Sequence, residues 1–150
     1  MIPTTILVPV DGSASSQAAE LFAAELVNHG GRFEIEVATV IPPRTLPYRR
    51  AMVLARTSSE EDAHRAEELL RQAAGRIQAQ LTNDDVTVVE QLVEGESPAE
   101  AIVQESLEDG TCKLIIMGSR GRGGFGSLAL GSVSQQVLFE ASCPVIIVKG

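Results

Sequence analysis

Near-continuous apolar runs alternate with amphipathic stretches along this chain. Thr5-Ile6-Leu7-Val8-Pro9-Val10 is the first run, the pattern of a parallel strand covered on both faces. It ends at Asp11-Gly12-Ser13, which combines turn chemistry with a helix cap. The spacing then predicts a helix to about Asn28, with Ala18, Leu21, Phe22 and Leu26 along one face and Gly30-Gly31 as the stop. Phe33 to Val40 alternates in part and predicts a second strand. Ile41 to Arg56, rich in Pro and Arg, shows no clear period and is expected to form a long loop or a partly helical excursion. Ser58 and Glu61 make a capping-box pattern. The helix it opens carries Ala63, Ala66, Leu70, Ala73 and Ile77 at helical spacing and ends near Leu81.

Asn83-Asp84-Asp85 makes the next turn, and Val86 onward to Val93 predicts the third strand. Ser97-Pro98-Ala99-Glu100 is a compact helix start, with Ser97 as cap, Pro98 at the first position and Glu100 closing the box. Ile102, Val103, Ser106 and Leu107 give that helix its inner face, and Asp109-Gly110 ends it. Lys113 to Met117 is the fourth strand. Val133, Val137 and Ala141 mark a last helix, and Pro144 turns the chain into the fifth strand, Val145 to Val148. Strands and helices thus alternate strictly. Joined by right-handed crossovers, they make a single α/β domain over residues 1–150, a parallel sheet with helices on both faces. With aromatics at 3% and no Trp, its core must be Val, Ile, Leu and Ala.

Charge and composition narrow the partners. A formal net charge of -8 argues against nucleic acid or an anionic membrane surface. No apolar run approaches the roughly 18 residues of a membrane helix. Met1 to Val10 lacks a basic region and a cleavage site, so the cytoplasm is the expected location. Cys112 and Cys143 are expected to be reduced, partly buried small side chains. His29 and His64 are far from the glycine-rich stretch in sequence and receive no role.

That stretch carries the chemistry. Six of the 13 glycines fall between Gly118 and Gly131, after the apolar run ending at Met117 and before the last helix. A strand, a glycine-rich loop and a helix N-terminus suit phosphate, because the backbone can approach closely and free N–H groups face the anion. Gly121 to Gly126 spells a dinucleotide fingerprint, but too little chain follows to build the second half of such a site. A P-loop is excluded, since lysine occurs only at Lys113 and Lys149. What remains is G-x2-G-x9-G-[ST], met by Gly118, Gly121, Gly131 and Ser132.

Here the sequence resembles the universal stress protein family, in its nucleotide-binding branch. Four segments carry the likeness in order: Val8 to Ser13, Ile115 to Gly121, Gly131 to Ser134, and Cys143 to Val148. The resemblance implies a three-layer, adenine nucleotide alpha hydrolase-like fold with a five-stranded parallel sheet of order 3-2-1-4-5. It also implies ATP or another adenine nucleotide, with or without Mg, held by the glycine motif. Pro9, Val10 and Asp11, with Val40, would flank adenine and ribose. Pro9 to Asp11 and Met117 to Gly121 would converge at the topological switch point. Gly118 and Gly121 would permit close backbone approach, Gly131, Ser132 and Val133 would offer N–H donors, and the Ser132 or Ser134 hydroxyl would reach a phosphate oxygen. Asp11 is either a ribose or adenine acceptor or a cap, and Arg120 and Arg122 either neutralise phosphate or are solvated.

The expected function is an ATP-binding stress-response module with at most slow hydrolysis, since no catalytic triad, metal-ligand spacing or general base accompanies the loop. The alternatives are a phosphoryl or nucleotidyl transferase using the same site, or a fold-only member that binds no nucleotide. The resemblance further implies a homodimer through Pro144–Val148, an edge strand in that order. Lys113 departs from the family, where Asp is frequent. It is expected to bear on local packing or partner contacts, at the end of the strand away from the nucleotide.

Overall fold

The computed structural model describes residues 2–43, 49–108, 113–120 and 130–150, and along 49–59 the backbone alone. Apolar runs become strands and amphipathic stretches become helices: β1 (Thr4–Pro9), α1 (Ala14–Val27), β2 (Phe33–Ile41), α2 (Arg49–Gln80), β3 (Val86–Glu94), α3 (Pro98–Ser106), β4 (Leu114–Gly118), α4 (Ser132–Glu140) and β5 (Val145–Val148). The strands pair in the order β3-β2-β1-β4-β5, all parallel, as the sequence predicts.

Alternation along the central strand sorts the core into two layers, because successive side chains leave a strand on opposite faces. Ile6, Val8 and Val10 join Ile35 and Val37 beneath α1 and α2, with Ala19, Ala23, Leu70 and Ile77 above them. Leu7, Ala38, Ile115 and Met117 face the other way, under Ala99 and Ile102 of α3 and Val137 of α4. Cys143 is buried in that second layer as a small apolar side chain. Cys112 and the expected helix stop at Asp109-Gly110 lie outside the described residues.

Three local expectations fail, each to tertiary packing. The inner face of α1 is Ser15, Ser16, Ala19, Glu20, Ala23, Ala24 and Val27. Leu21 and Phe22 turn outward at 46% and 37% exposure. Apolar residues surround this helix, so periodicity alone did not fix its facing; the sheet selects the small side chains that let the helix come close. Second, α2 begins at Arg49, so Ser58 lies inside a helix rather than at its start. The capping-box signal is local, and the backbone simply continues through it. Of the two expectations for Ile41 to Arg56, the partly helical one agrees with the backbone, which is helical from Arg49, and residues 44–48 lie outside the described residues. Third, Leu107, expected on the inner face, lies just past α3 as its C-cap and is 43% exposed. The N-terminus of α3 is as expected: Ser97 Oγ accepts the Glu100 N–H at 3.3 Å, with Pro98 in the first turn.

The α1–α2 seam holds a charge. Glu20, 1% exposed, receives the Arg76 guanidinium on both oxygens: Nε donates to Oε1 at 3.0 Å and Nη2 to Oε2 at 3.1 Å. Burial raises the Glu20 carboxyl above its ordinary value, and Arg76 opposes that rise. A buried carboxylate stripped of its donor carries its desolvation cost alone. Arg76→Met is therefore expected to lower stability by about 1–3 kcal/mol near neutral pH. The loss should shrink towards pH 5 as Glu20 takes up a proton, and Glu20→Gln in the same chain should restore part of it. Chemical denaturation at the two pH values measures both.

Candidate functional site

β1 and β4 lie side by side in the middle of the sheet, but their onward connections diverge. α1 leaves β1 for the face it shares with α2, and α4 leaves β4 for the face it shares with α3. Such a switch point opens a crevice at the carboxyl ends of the strands. A cleft of about 270 Å³ lies there. Its floor comes from three strand ends: Pro9 of β1 with Val10 and Asp11 after it, Ala38 to Val40 on β2, and Met117 with Gly118 on β4. Pro98 and Ile102 of α3 and Val133 of α4 make an apolar wall. Ser13, Ser16, Ser134 and Arg120 give the rest a polar lining.

The turn after β1 is fixed from within. Gly12 takes a positive φ of 83°, open to glycine at no steric cost. Asp11 Oδ1 accepts the Ser13 N–H at 2.9 Å, and Ser13 Oγ caps α1 by accepting the Ser16 N–H at 3.2 Å. Asp11 is thus a turn residue and a cleft-lining residue at once.

The glycine-rich loop is anchored at its two ends. The Ser119 carbonyl accepts the Gly131 N–H and the Ser134 hydroxyl, each at 2.7 Å, closing the base of the loop. Ser119 N–H donates to the Val148 carbonyl at 2.8 Å, tying that base to β5. Ser13 Oγ and Ser15 Oγ both donate to the Arg120 carbonyl, tying it to α1. Residues 121–129, among them Gly121, Arg122 and the glycines at 123, 124 and 126, lie outside the described residues.

Two expected roles change. A Cβ on Gly118 would stand 2.6 Å from the Ser15 carbonyl carbon and 2.7 Å from the Ser16 nitrogen. The first turn of α1 packs against β4 here, so the demand for glycine at 118 comes from the protein's own backbone. Ser134 is 2% exposed, and its one hydroxyl proton is engaged by the Ser119 and Gly131 carbonyls. That hydroxyl holds the loop base.

Of the other expected residues, Pro9, Val10, Asp11, Val40, Met117, Arg120 and Val133 line the cleft together with Gly118 and Ser134. Gly131 caps α4 without a side-chain hydrogen bond, and exposed Ser132 starts the helix; neither is among the lining residues. Neither α1 nor α4 has an acidic residue in its first turn, although Asp11 and the Ser13 cap sit at the start of α1. Sequence reasoning missed Ser13, Ser16, Ala38, Thr39, Pro98 and Ile102. The strand-end residues had a signal, their place at carboxyl ends, whereas Pro98 and Ile102 read only as helix start and core.

Comparison with known proteins places this architecture. The model of the Universal stress protein family matches residues 3–149. A universal stress protein of Thermus aquaticus is 36% identical over 97% of this chain and 98% of its own length. Among solved structures, a universal stress protein from Archaeoglobus fulgidus superposes with a TM-score of 0.74 at 26% identity, covering 99% of this chain and 100% of that one. A universal stress protein in complex with cAMP superposes with a TM-score of 0.67 at 28% identity, covering 97% and 96%.

The tight Gly118–Ser15 contact makes a direct prediction. Gly118→Ala is expected to push α1 from β4 and lower stability by about 1–3 kcal/mol, the usual cost of overpacking. Urea denaturation of the variant measures it.

Proposed function

Because this chain belongs to the universal stress protein family, we propose that it is an adenine-nucleotide-binding module of the stress response, holding ATP in the cleft at the β1–β4 switch point. The observation that carries this reading is the cleft's division of labour: an apolar wall opposite a polar lining, with the N-terminus of α4, which has no side-chain cap, beside it. The cAMP complex of a 28% identical relative supports an adenine ligand. Adenine would lie against Val40, Ile102 and Val133. Asp11 would accept from a ribose hydroxyl, and the phosphates would extend towards the N–H groups of Ser132 and Val133, the expected Gly131 N–H being already given to the Ser119 carbonyl. Arg120 would add positive charge, and Gly121 would continue the cradle.

Hydrolysis would be slow. Asp11 is the one carboxylate and Arg120 the one cation among the described lining residues, and phosphoryl transfer depends on several positioned charges. With one carboxylate nearby, any Mg would be held mainly by the nucleotide's own phosphates. A transferase reading requires rapid turnover of ATP, and a fold-only reading requires that no nucleotide bind.

The proposal extends to assembly and location. β5 is a sheet edge of four half-buried apolar residues, a surface that invites pairing. A two-fold, antiparallel homodimer through Pro144–Val148 would cover it. The net charge of -8 supports a protein that works without nucleic acid. No helix among the described residues is long and apolar enough to cross a membrane, and the cytoplasm is the proposed location.

Three measurements test this. Mass spectrometry after denaturing extraction should find an adenine nucleotide, with ATP turnover below about one per second; faster turnover favours the transferase, and neither nucleotide nor ATP binding favours the fold-only reading. Light scattering at micromolar concentration should give a dimer mass. Asp11→Asn keeps an acceptor for the Ser13 N–H but loses the charge. It should leave stability unchanged while weakening ATP binding about tenfold or more, the worth of one charged hydrogen bond.

A further inference from the structure

The hydroxyls of the cleft divide into those spent on the protein and those that are not. Ser13 Oγ donates to the Arg120 carbonyl and accepts the Ser16 N–H, and the Ser134 hydroxyl is engaged at the base of the glycine-rich loop. Ser16 differs. Its Oγ accepts the Asp11 N–H at 3.2 Å, but among the described residues its own proton meets no acceptor. Ser16 is 3% exposed and lines the cleft. Thr39 of β2, 8% exposed, lines it too and makes no side-chain hydrogen bond among the described residues. Buried hydroxyls are seldom left unpaired, and among the described residues no fully buried side-chain oxygen or nitrogen lacks a partner. The Thr39 hydroxyl is therefore open, and the cleft is what it opens into.

Both hydroxyls lie around Asp11. Ser16 Oγ is held against the backbone of that residue, and the Val10 N–H donates to the Ala38 carbonyl at 2.8 Å, which sets Thr39 beside the end of β1. Val40 packs in the layer under α3 and α4. Thr39, its neighbour on the strand, therefore leaves on the α1 side, the side of Ser16. Asp11 Oδ1 takes the Ser13 N–H, while Oδ2 accepts nothing among the described residues. This corner offers a carboxylate that only accepts, a serine proton to give, and a threonine hydroxyl that can do either. A phosphate would be repelled by the carboxylate, and an amino group would leave the serine proton unused. Two neighbouring alcohols satisfy all three groups, because each alcohol both donates and accepts.

We propose that Ser16 and Thr39 read the ribose of the bound nucleotide. The sugar's two hydroxyls donate to Asp11 and accept from Ser16 and Thr39, so the cleft selects ribonucleotides over their deoxy counterparts. This assignment rests on the nucleotide-binding reading and adds the part of the ligand that sets selectivity. A site built to bond a hydroxyl rejects the analogue without it, because its own polar groups are then enclosed without partners. The position of the base agrees. Adenine against Val40, Ile102 and Val133 occupies the α3–α4 side of the strand ends, which leaves the α1 side, with Ser16 and Thr39, to the sugar.

Calorimetric titration with ATP and with its dideoxyribose analogue, which lacks both hydroxyls, tests the assignment in wild type, Thr39→Val and Ser16→Ala. Wild type should hold ATP at least about tenfold more tightly than the analogue, and each variant should narrow that ratio about fivefold, roughly the worth of one hydrogen bond. The ratio is the informative quantity. Thr39→Val keeps the shape of the side chain, whereas Ser16→Ala also frees the Asp11 N–H. A purely structural effect of either change weakens both ligands together and leaves the ratio where it was. A ratio unchanged in either variant overturns the role of that residue, and a wild type that holds both ligands equally overturns the whole assignment. No binding of ATP by wild type overturns the nucleotide reading itself, so the two failures are told apart.

Discussion

The N-terminal turn of α1 lies against the end of β4 with no room for a methyl group at Gly118, and Gly150 approaches the same turn as closely, a Cβ there falling 2.5 Å from Ser15 Cα. Much of the site follows from this contact. It brings the Ser13 and Ser15 hydroxyls to the Arg120 carbonyl, where they hold the start of the glycine-rich loop. It keeps the mouth of the switch point narrow enough for β1, β4 and both helix ends to line a single cleft. The loop is therefore supported by short polar side chains and backbone.

Small residues are frequent where helices meet the sheet, and among the described residues charge is buried in two places. Glu20 meets Arg76 in the α1–α2 seam, and Glu36 with Glu105 meets Lys113 under α3. Replacing such groups by apolar ones of similar shape is often neutral or stabilising. The two clusters differ in how the charge is met. A guanidinium lies on both oxygens of Glu20, whereas the Lys113 ammonium divides its donors between Glu36 Oε2 and the Glu105 carbonyl. Lys113 supplies the cation of the second pair, and it is buried just before β4, at the end away from the cleft.

Much of the architecture was legible without coordinates, because it rests on local and periodic signals. Apolar runs gave five strands, the Ser97-Pro98-Glu100 start gave α3, and alternation of strands and helices required a parallel sheet. The candidate site was legible for a narrower reason. Residues at the carboxyl ends of neighbouring strands must converge at the switch point, so Pro9 to Asp11, Val40 and Met117 fall together once the strand order is known.

By itself the sequence determined which segments are strands and helices, the family resemblance, and the strand ends that form the cleft, since period, turn chemistry and motif spacing are written residue by residue. Only the tertiary structure decided which side of α1 faces inward, that Ser58 lies inside a helix, and that Pro98 and Ile102 wall the cleft. It also decided why Gly118 is glycine, what the Ser134 hydroxyl holds, and that Glu36, Glu105 and Lys113 meet at all. The reason is common to these cases: each depends on a neighbour distant in the chain, and no local pattern encodes how closely two packed elements approach.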